Sequence, residues 1–174
     1  MSVLRQIAQL GHPVLRTNAS QLDLPARVEV RSLVDDMLAT LRDLAGVGIA
    51  APQVFESKAI FIVASRPNPR YPSAPQMEPE VIINPEIIEC SDDLVKGWEG
   101  CLSIPGLRGL VPRHRRILVR YKTLEGEGVE REFVDFVARI FQHEDDHLRG
   151  LVFLDRLDSS RDLVTEKEYQ RQNA

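Results

Sequence analysis

Long apolar runs are missing from this chain of 174 residues. No stretch approaches the ~20 residues of a membrane-spanning helix, so a membrane is not an expected partner. The opening Met1-Ser2-Val3-Leu4-Arg5-Gln6 lacks the apolar centre of a secretion signal. The expected location is the cytoplasm, or an organelle where a transit peptide has been removed. Positive charge is not in surplus: 22 Lys and Arg face 26 Asp and Glu, a net charge of -4. General nucleic-acid binding needs the opposite balance, so DNA is set aside. Cysteine is scarce. Cys90 and Cys101 permit one bridge at most, and in a reducing cytosol each reads as a small buried hydrophobe or a ligand. Internal repeats and low-complexity tracts are absent. What remains is 43% hydrophobic and 28% charged, an ordinary soluble composition at a length that suits one domain, 1–174, with a polar tail over 158–174.

The most specific feature present is His143-Glu144-Asp145-Asp146-His147. On an α-helix, residues four apart share a face, one turn apart. Two imidazoles so placed reach one metal ion, and Glu144 beside them is placed to accept a proton. Phe136, Ile140, His143, His147 and Leu151 follow at steps of three and four. The histidines therefore continue an apolar, buried face, while Arg139, Gln142, Asp146 and Arg149 fall away from its centre. Asp135 is positioned to N-cap this helix, and Gly150 to end it.

Earlier in the chain, Val30, Leu33, Val34, Met37, Leu38, Leu41 and Leu44 recur at helical spacing, which predicts an amphipathic helix from Val28 to Ala45 ended by Gly46. His12, before Pro13, reads as structural. Gly46-Val47-Gly48-Ile49-Ala50-Ala51-Pro52-Gln53 has little side-chain bulk. Such a strand either packs under a helix or lets a substrate backbone pair with it, with Gln53 offering an amide to the reaction centre. Lys58–Ala64 reads as a buried strand, 65–79 with five prolines as a surface loop, and Val81–Cys90 as a strand bent at Asn84-Pro85, with Cys90 in the core. Gly97–Gly106 is a second passage of small residues. Arg115–Lys122 and Val129–Val134 form a hairpin. Arg108, Arg113, Arg115, Arg116, Arg120 and Lys122 concentrate basic charge around it; a solvated face is the first reading and an RNA-contacting patch the second.

Two histidines leave a site short of a ligand. A third histidine six residues after His147 would complete one protease pattern, but Phe153 stands there. A downstream glutamate, Glu166 or Glu168, would make a zinc endopeptidase. The Cys101 thiolate is the other candidate, a good ligand for iron or zinc that leaves a fourth position free.

Gly46–Gln53, Glu99-Gly100-Cys101-Leu102-Ser103 and His143–His147 together resemble the three motifs of peptide deformylase, in that family's order and approximate spacing. The likeness extends from Gly11-His12-Pro13 to Phe153-Leu154-Asp155-Arg156. It implies an α+β fold of antiparallel sheets packed around a central metal-binding helix, with an amphipathic helix N-terminal to them, and a single catalytic domain. It implies hydrolytic removal of the formyl group from formyl-methionyl nascent peptides, with the ribosome a candidate transient partner. It makes Cys101, His143 and His147 the metal ligands and Glu144 the acid/base. It puts the Gln53 amide and the Leu102 N–H at the oxyanion. Fe2+ is the implied metal, with Zn2+, Ni2+ or Co2+ able to replace it. Val47, Gly48 and Gly100 would pair with the peptide, and Phe136 and Ile140 would line a methionine pocket. Two positions depart from the pattern: Asp135 where the family often has glycine, and Ala45 where an acid is frequent.

Overall fold

Strand β2 (Ile60–Val63) explains how the molecule is layered. All four of its residues are buried, which a strand manages only when both faces of its sheet are covered. Alternate side chains point to opposite faces. Ile60 and Ile62 join the cluster around Val30, Leu33, Val34, Met37 and Leu41. These five come from helix α1 (Val28–Asp43), the amphipathic segment expected from spacing. Phe61 and Val63 instead join Ile117, Val119, Phe133, Ala138 and Phe141. Ala138 and Phe141 belong to helix α2 (Asp135–Leu148). The Phe61 and Phe141 rings meet edge to face at 5.0 Å, a favoured aromatic geometry.

A computed structural model describes residues 2–173. The remaining elements are β1 (Gly48–Ala50), β3 (Glu80–Cys90), β4 (Leu94–Cys101), β5 (Ile104–His114), β6 (Arg116–Lys122), β7 (Gly128–Val134), β8 (Leu163–Thr165) and α3 (Glu166–Gln172). One sheet has the order β1-β2-β3-β6-β7 and a second the order β4-β5-β8. Every pairing is antiparallel. Helix α2 packs against β1, β2 and β7 of the first sheet and against β5 of the second. The fold is the expected α+β arrangement, with the histidine helix between the sheets. No helix among the described residues is long and apolar enough to cross a membrane.

Several local expectations need correction. Gly46 does not end α1 in the left-handed region; Ala45 does, at φ 49°, and the Gly46 N–H donates to Leu41 O at 3.0 Å. Asp135 does not cap α2. Val134 holds the cap position without a side-chain bond, and Asp135 sits at φ 51° with its carboxylate paired to Arg115 at 2.9 Å. That positive φ accounts for the glycine the family often places there. The small-residue passage Gly97–Gly106 forms the tip of the long β4–β5 hairpin. Cys90 is half-buried rather than a core residue. The polar tail is anchored: β8 pairs with β5, Tyr169 meets Trp98 at 5.4 Å, and Glu166 bonds Arg108. His12 is structural as expected, accepting from the Val14 N–H.

The basic stretch divides: Arg115, Arg116, Arg120 and Lys122 make the solvated face expected of it, while its other two members turn inward. Arg108 and Arg113 are buried. Arg113 pairs with Glu99 and Asp146, Arg116 with Glu89 and Glu132, and Arg120 with Glu130. Strand alternation does not report the burial of Arg108 and Arg113, whose acidic partners lie 14 to 58 residues away.

Candidate active site

Helix α2 and the end of β4 meet at one point. The ligand atoms of Cys101, His143 and His147 all lie within 4.8 Å of one another, and all three residues are buried. Cys101 Sγ is 3.3 Å from His147 Nε2. His143 Nδ1 is engaged by Glu99 Oε2 at 2.8 Å, which leaves its Nε2 as the nitrogen available to a ligand. A carboxylate behind an imidazole fixes the ring and raises its basicity, the usual support for a metal-bound histidine. One thiol and two imidazoles form a donor set that suits iron or zinc and leaves a coordination position open. The residues present therefore fit a metal ion.

Electrostatics agree with the geometry. Burial opposes charge on Cys101, yet the two imidazoles outweigh it and hold the thiol well below its usual range. Thiolate is the form that binds metals. Burial likewise opposes charge on Glu99, but Arg113 and His143 hold its carboxyl well below the ordinary carboxylate range. Glu99 accepts two bonds from Arg113, at 2.9 and 3.0 Å, and one from Arg139 at 2.9 Å. Arg113 also donates to Asp146 at 2.6 Å. This buried network ties the cysteine strand to the histidine helix. A charge removed from water needs partners of this quality to persist.

Glu144 differs from these acids. Burial pushes its carboxyl up to about 7, against a partial pull from the two histidines. Its Oε2 is buried and has no hydrogen-bond partner. Its other oxygen packs on Gly48, where an added Cβ would stand 2.4 Å from it. Glycine at 48 is thus the space in which the carboxylate sits. Gly48→Ala should displace Glu144 and lower turnover by about 10²-fold or more, since misplacing a reacting group by ~1 Å costs that much. Its metal content should stay at the wild-type level. Turnover within a few-fold of wild type would show that Gly48 does not set the position of Glu144.

Gln53 reaches the site from the 3-10 turn Ala51–Val54 that follows β1. Its Oε1 accepts from the Ala50 N–H at 2.9 Å. Its Nε2 donates to Ser103 Oγ at 3.2 Å and lies 3.5 Å from Cys101 Sγ. Val47, Gly48, Gly100, Leu102, Phe136 and Ile140 all line the same pocket, together with His143 and Glu144. Strands β1 and β4, each the edge of its sheet, flank it. The Gly100 N–H donates to the Tyr71 hydroxyl at 3.2 Å, so this expected peptide-pairing donor already has an acceptor. Tyr71 also packs on Phe136, with ring centroids 5.2 Å apart. Sequence reasoning missed Arg70, Tyr71, Glu99 and Arg139. Two of them sit in a stretch whose prolines marked it only as a surface loop.

The endopeptidase alternative fails on position. Glu166 gives both oxygens to Arg108, at 2.7 and 3.2 Å, and Glu168 pairs with Arg171. Neither joins the Cys-His-His cluster.

Comparison with known proteins decides the family. The model of the polypeptide deformylase family matches residues 4–162. The chain belongs to that family. It is 53% identical over 167 residues to peptide deformylase 2 of Nostoc sp., covering 96% of this chain and 93% of the relative. It is 47% identical to peptide deformylase 2 of Shewanella oneidensis, covering 86% and 82%. Among solved structures, a class I type b peptide deformylase from Acinetobacter baumannii bound to Met-Ala-Ser superposes with a TM-score of 0.88. It has 48% identity and covers 90% of this chain and all of that one. Peptide deformylases are metalloenzymes that act on formylated nascent peptides, and the Cys-His-His cluster is where this chain could bind a metal.

Proposed function

We propose that this chain, as one catalytic domain, hydrolyses the formyl group from the N-terminal formyl-methionine of newly made peptides and releases formate. The observation that carries the reading is the unpartnered Glu144 Oε2, held on the same helix as two of three clustered ligand atoms. Cys101, His143 and His147 would hold one metal ion, Fe2+ by kinship, with Zn2+, Ni2+ or Co2+ as substitutes the same donors accept. When bound, such a cation lowers the pKa of water towards about 7 and polarises the carbonyl oxygen.

The protein's own groups do the rest. Glu144 Oε2 takes a proton from the attacking water and returns it to the methionine nitrogen as the C–N bond breaks. Burial raises this carboxyl above its ordinary range, which suits a group that must both take and return a proton. The Gln53 Nε2 and the Leu102 N–H hold negative charge on the formyl oxygen. Phe136 and Ile140 receive the methionine side chain. The peptide backbone lies between β1 and β4, pairing along Val47, Gly48 and Gly100. At Gly100 it competes with the Tyr71 hydroxyl. Backbone pairing tolerates many side chains, as an enzyme for nascent chains requires. The Met-Ala-Ser bound to the Acinetobacter protein is the kind of peptide left after deformylation. A cytoplasmic or organellar site of protein synthesis, with transient contact to the ribosome, follows from that substrate.

Two measurements test this. Formyl-Met-Ala-Ser should lose its blocking group while acetyl-Met-Ala-Ser does not; equal turnover of both, or of neither, contradicts the reading. Gln53→Leu should lower kcat by ~10²–10³-fold, the usual cost of one oxyanion donor, with metal content unchanged. An unaltered kcat would remove Gln53 from the oxyanion.

A further inference from the structure

Two guanidinium groups crowd one point at the mouth of the pocket. A Cβ at Gly100 would lie 2.7 Å from Arg70 Nη2 and 3.4 Å from Arg108 Nε. Between them these cations have one carboxylate: Glu166, whose two oxygens both go to Arg108. Arg108 still has a buried Nη1 without a partner. Among the described residues Arg70 forms no ion pair; its guanidinium instead stands 5.9 Å from the Tyr71 ring centre. The other acids of the pocket are committed elsewhere. Glu99 is taken by Arg113, Arg139 and His143, and Glu144 packs on Gly48. The mouth therefore carries one uncompensated positive charge. Its position is informative: Arg70 lines both the catalytic pocket and the adjoining groove of Ile7, Leu44, Leu102 and Pro105. A peptide leaving the pocket along that groove passes beside it.

We propose that Arg70 is a specificity residue that favours peptides with an acidic side chain one or two positions after the formyl-methionine. The inference rests on the deformylase reading. A carboxylate there would pair with Arg70, while a lysine would meet like charge. At a half-exposed site the gain is modest, and like-charge exclusion adds to it.

The test compares kcat/KM of the holoenzyme for formyl-Met-Glu-Ala, formyl-Met-Gln-Ala and formyl-Met-Lys-Ala, and for the series with the variable residue third. In at least one series the glutamate peptide should exceed the lysine peptide about two- to fivefold. The difference should lie mainly in KM and shrink at high salt. Arg70→Gln should bring the three peptides to near parity, and Arg70→Lys should keep their order. The proposal is overturned if the wild type does not discriminate, if Arg70→Gln still does, or if Arg70→Gln lowers kcat equally for all peptides. Formate from none of the peptides would instead sink the deformylase reading, and this inference with it.

Discussion

Glu144→Gln should retain the wild-type metal content and lose deformylation by ~10²–10⁴-fold, the span of general acid–base catalysis. The amide matches the carboxylate in shape, so its packing on Gly48 is kept. No existing hydrogen bond is lost, because Oε2 has no partner. What goes is the ability to take a proton and give it back. Folding should not suffer. Native Glu144 keeps its proton to a higher pH than its ordinary value of 4.5, up to about 7. The folded state thus binds more protons than the unfolded one in that interval, and ionising the group costs stability as pH rises through it. Glutamine removes the cost, so the metal-stripped variant at pH 8 should melt no lower than the wild type. Near-normal formate release by this variant would remove Glu144 from the chemistry.

Cys101→Ser should weaken metal binding by at least about a hundredfold, since even outer partners of a ligand contribute ten- to a hundredfold. A hydroxyl at 101 keeps the size of the side chain but is a poor ligand beside a thiolate. Metal per chain after dialysis should fall sharply and formate release with it, while the far-ultraviolet spectrum holds, because β4 and β5 are paired through their backbones. Unchanged metal and activity would rule Cys101 out. The two variants separate two roles that one activity assay confuses, one losing the metal and the other only the proton transfer.

Much of this was legible from residue order because it depends on local periodicity. Val30, Leu33, Val34, Met37 and Leu41 mark α1 by spacing, and His143 and His147 share a helix face for the same reason. The unbroken apolar run of β2 is the sign of a strand covered on both faces. The supports of the site were not legible in the same way. Asp146 and Gln142 looked like solvent-facing positions on α2, yet they are buried. Asp146 is held by Arg113, 33 residues away, and Glu99 reaches His143 across 44. Burial of a charge is decided by its partner, and no periodicity reports a partner that far off. Glu166 looked like a metal ligand candidate because its distance from the helix motif fitted; the fold spends it on Arg108, 58 residues earlier. Ala45 and Asp135 adopt positive φ; no propensity assigns it to alanine, and aspartate visits it only occasionally. Tyr71 and Arg70 reach the pocket from a proline-rich loop whose path only the tertiary structure reveals.

The most direct test of the account joins metal and product in one sample. The wild-type chain, purified without oxygen, would be assayed for metal per chain and for formate released from formyl-Met-Ala-Ser. The account predicts about one metal ion per chain, formate in proportion to that metal, and loss and recovery of both together on chelation and Fe2+ addition. Formate release that persists in fully chelated protein, or a chain that holds its metal and releases none, would contradict it.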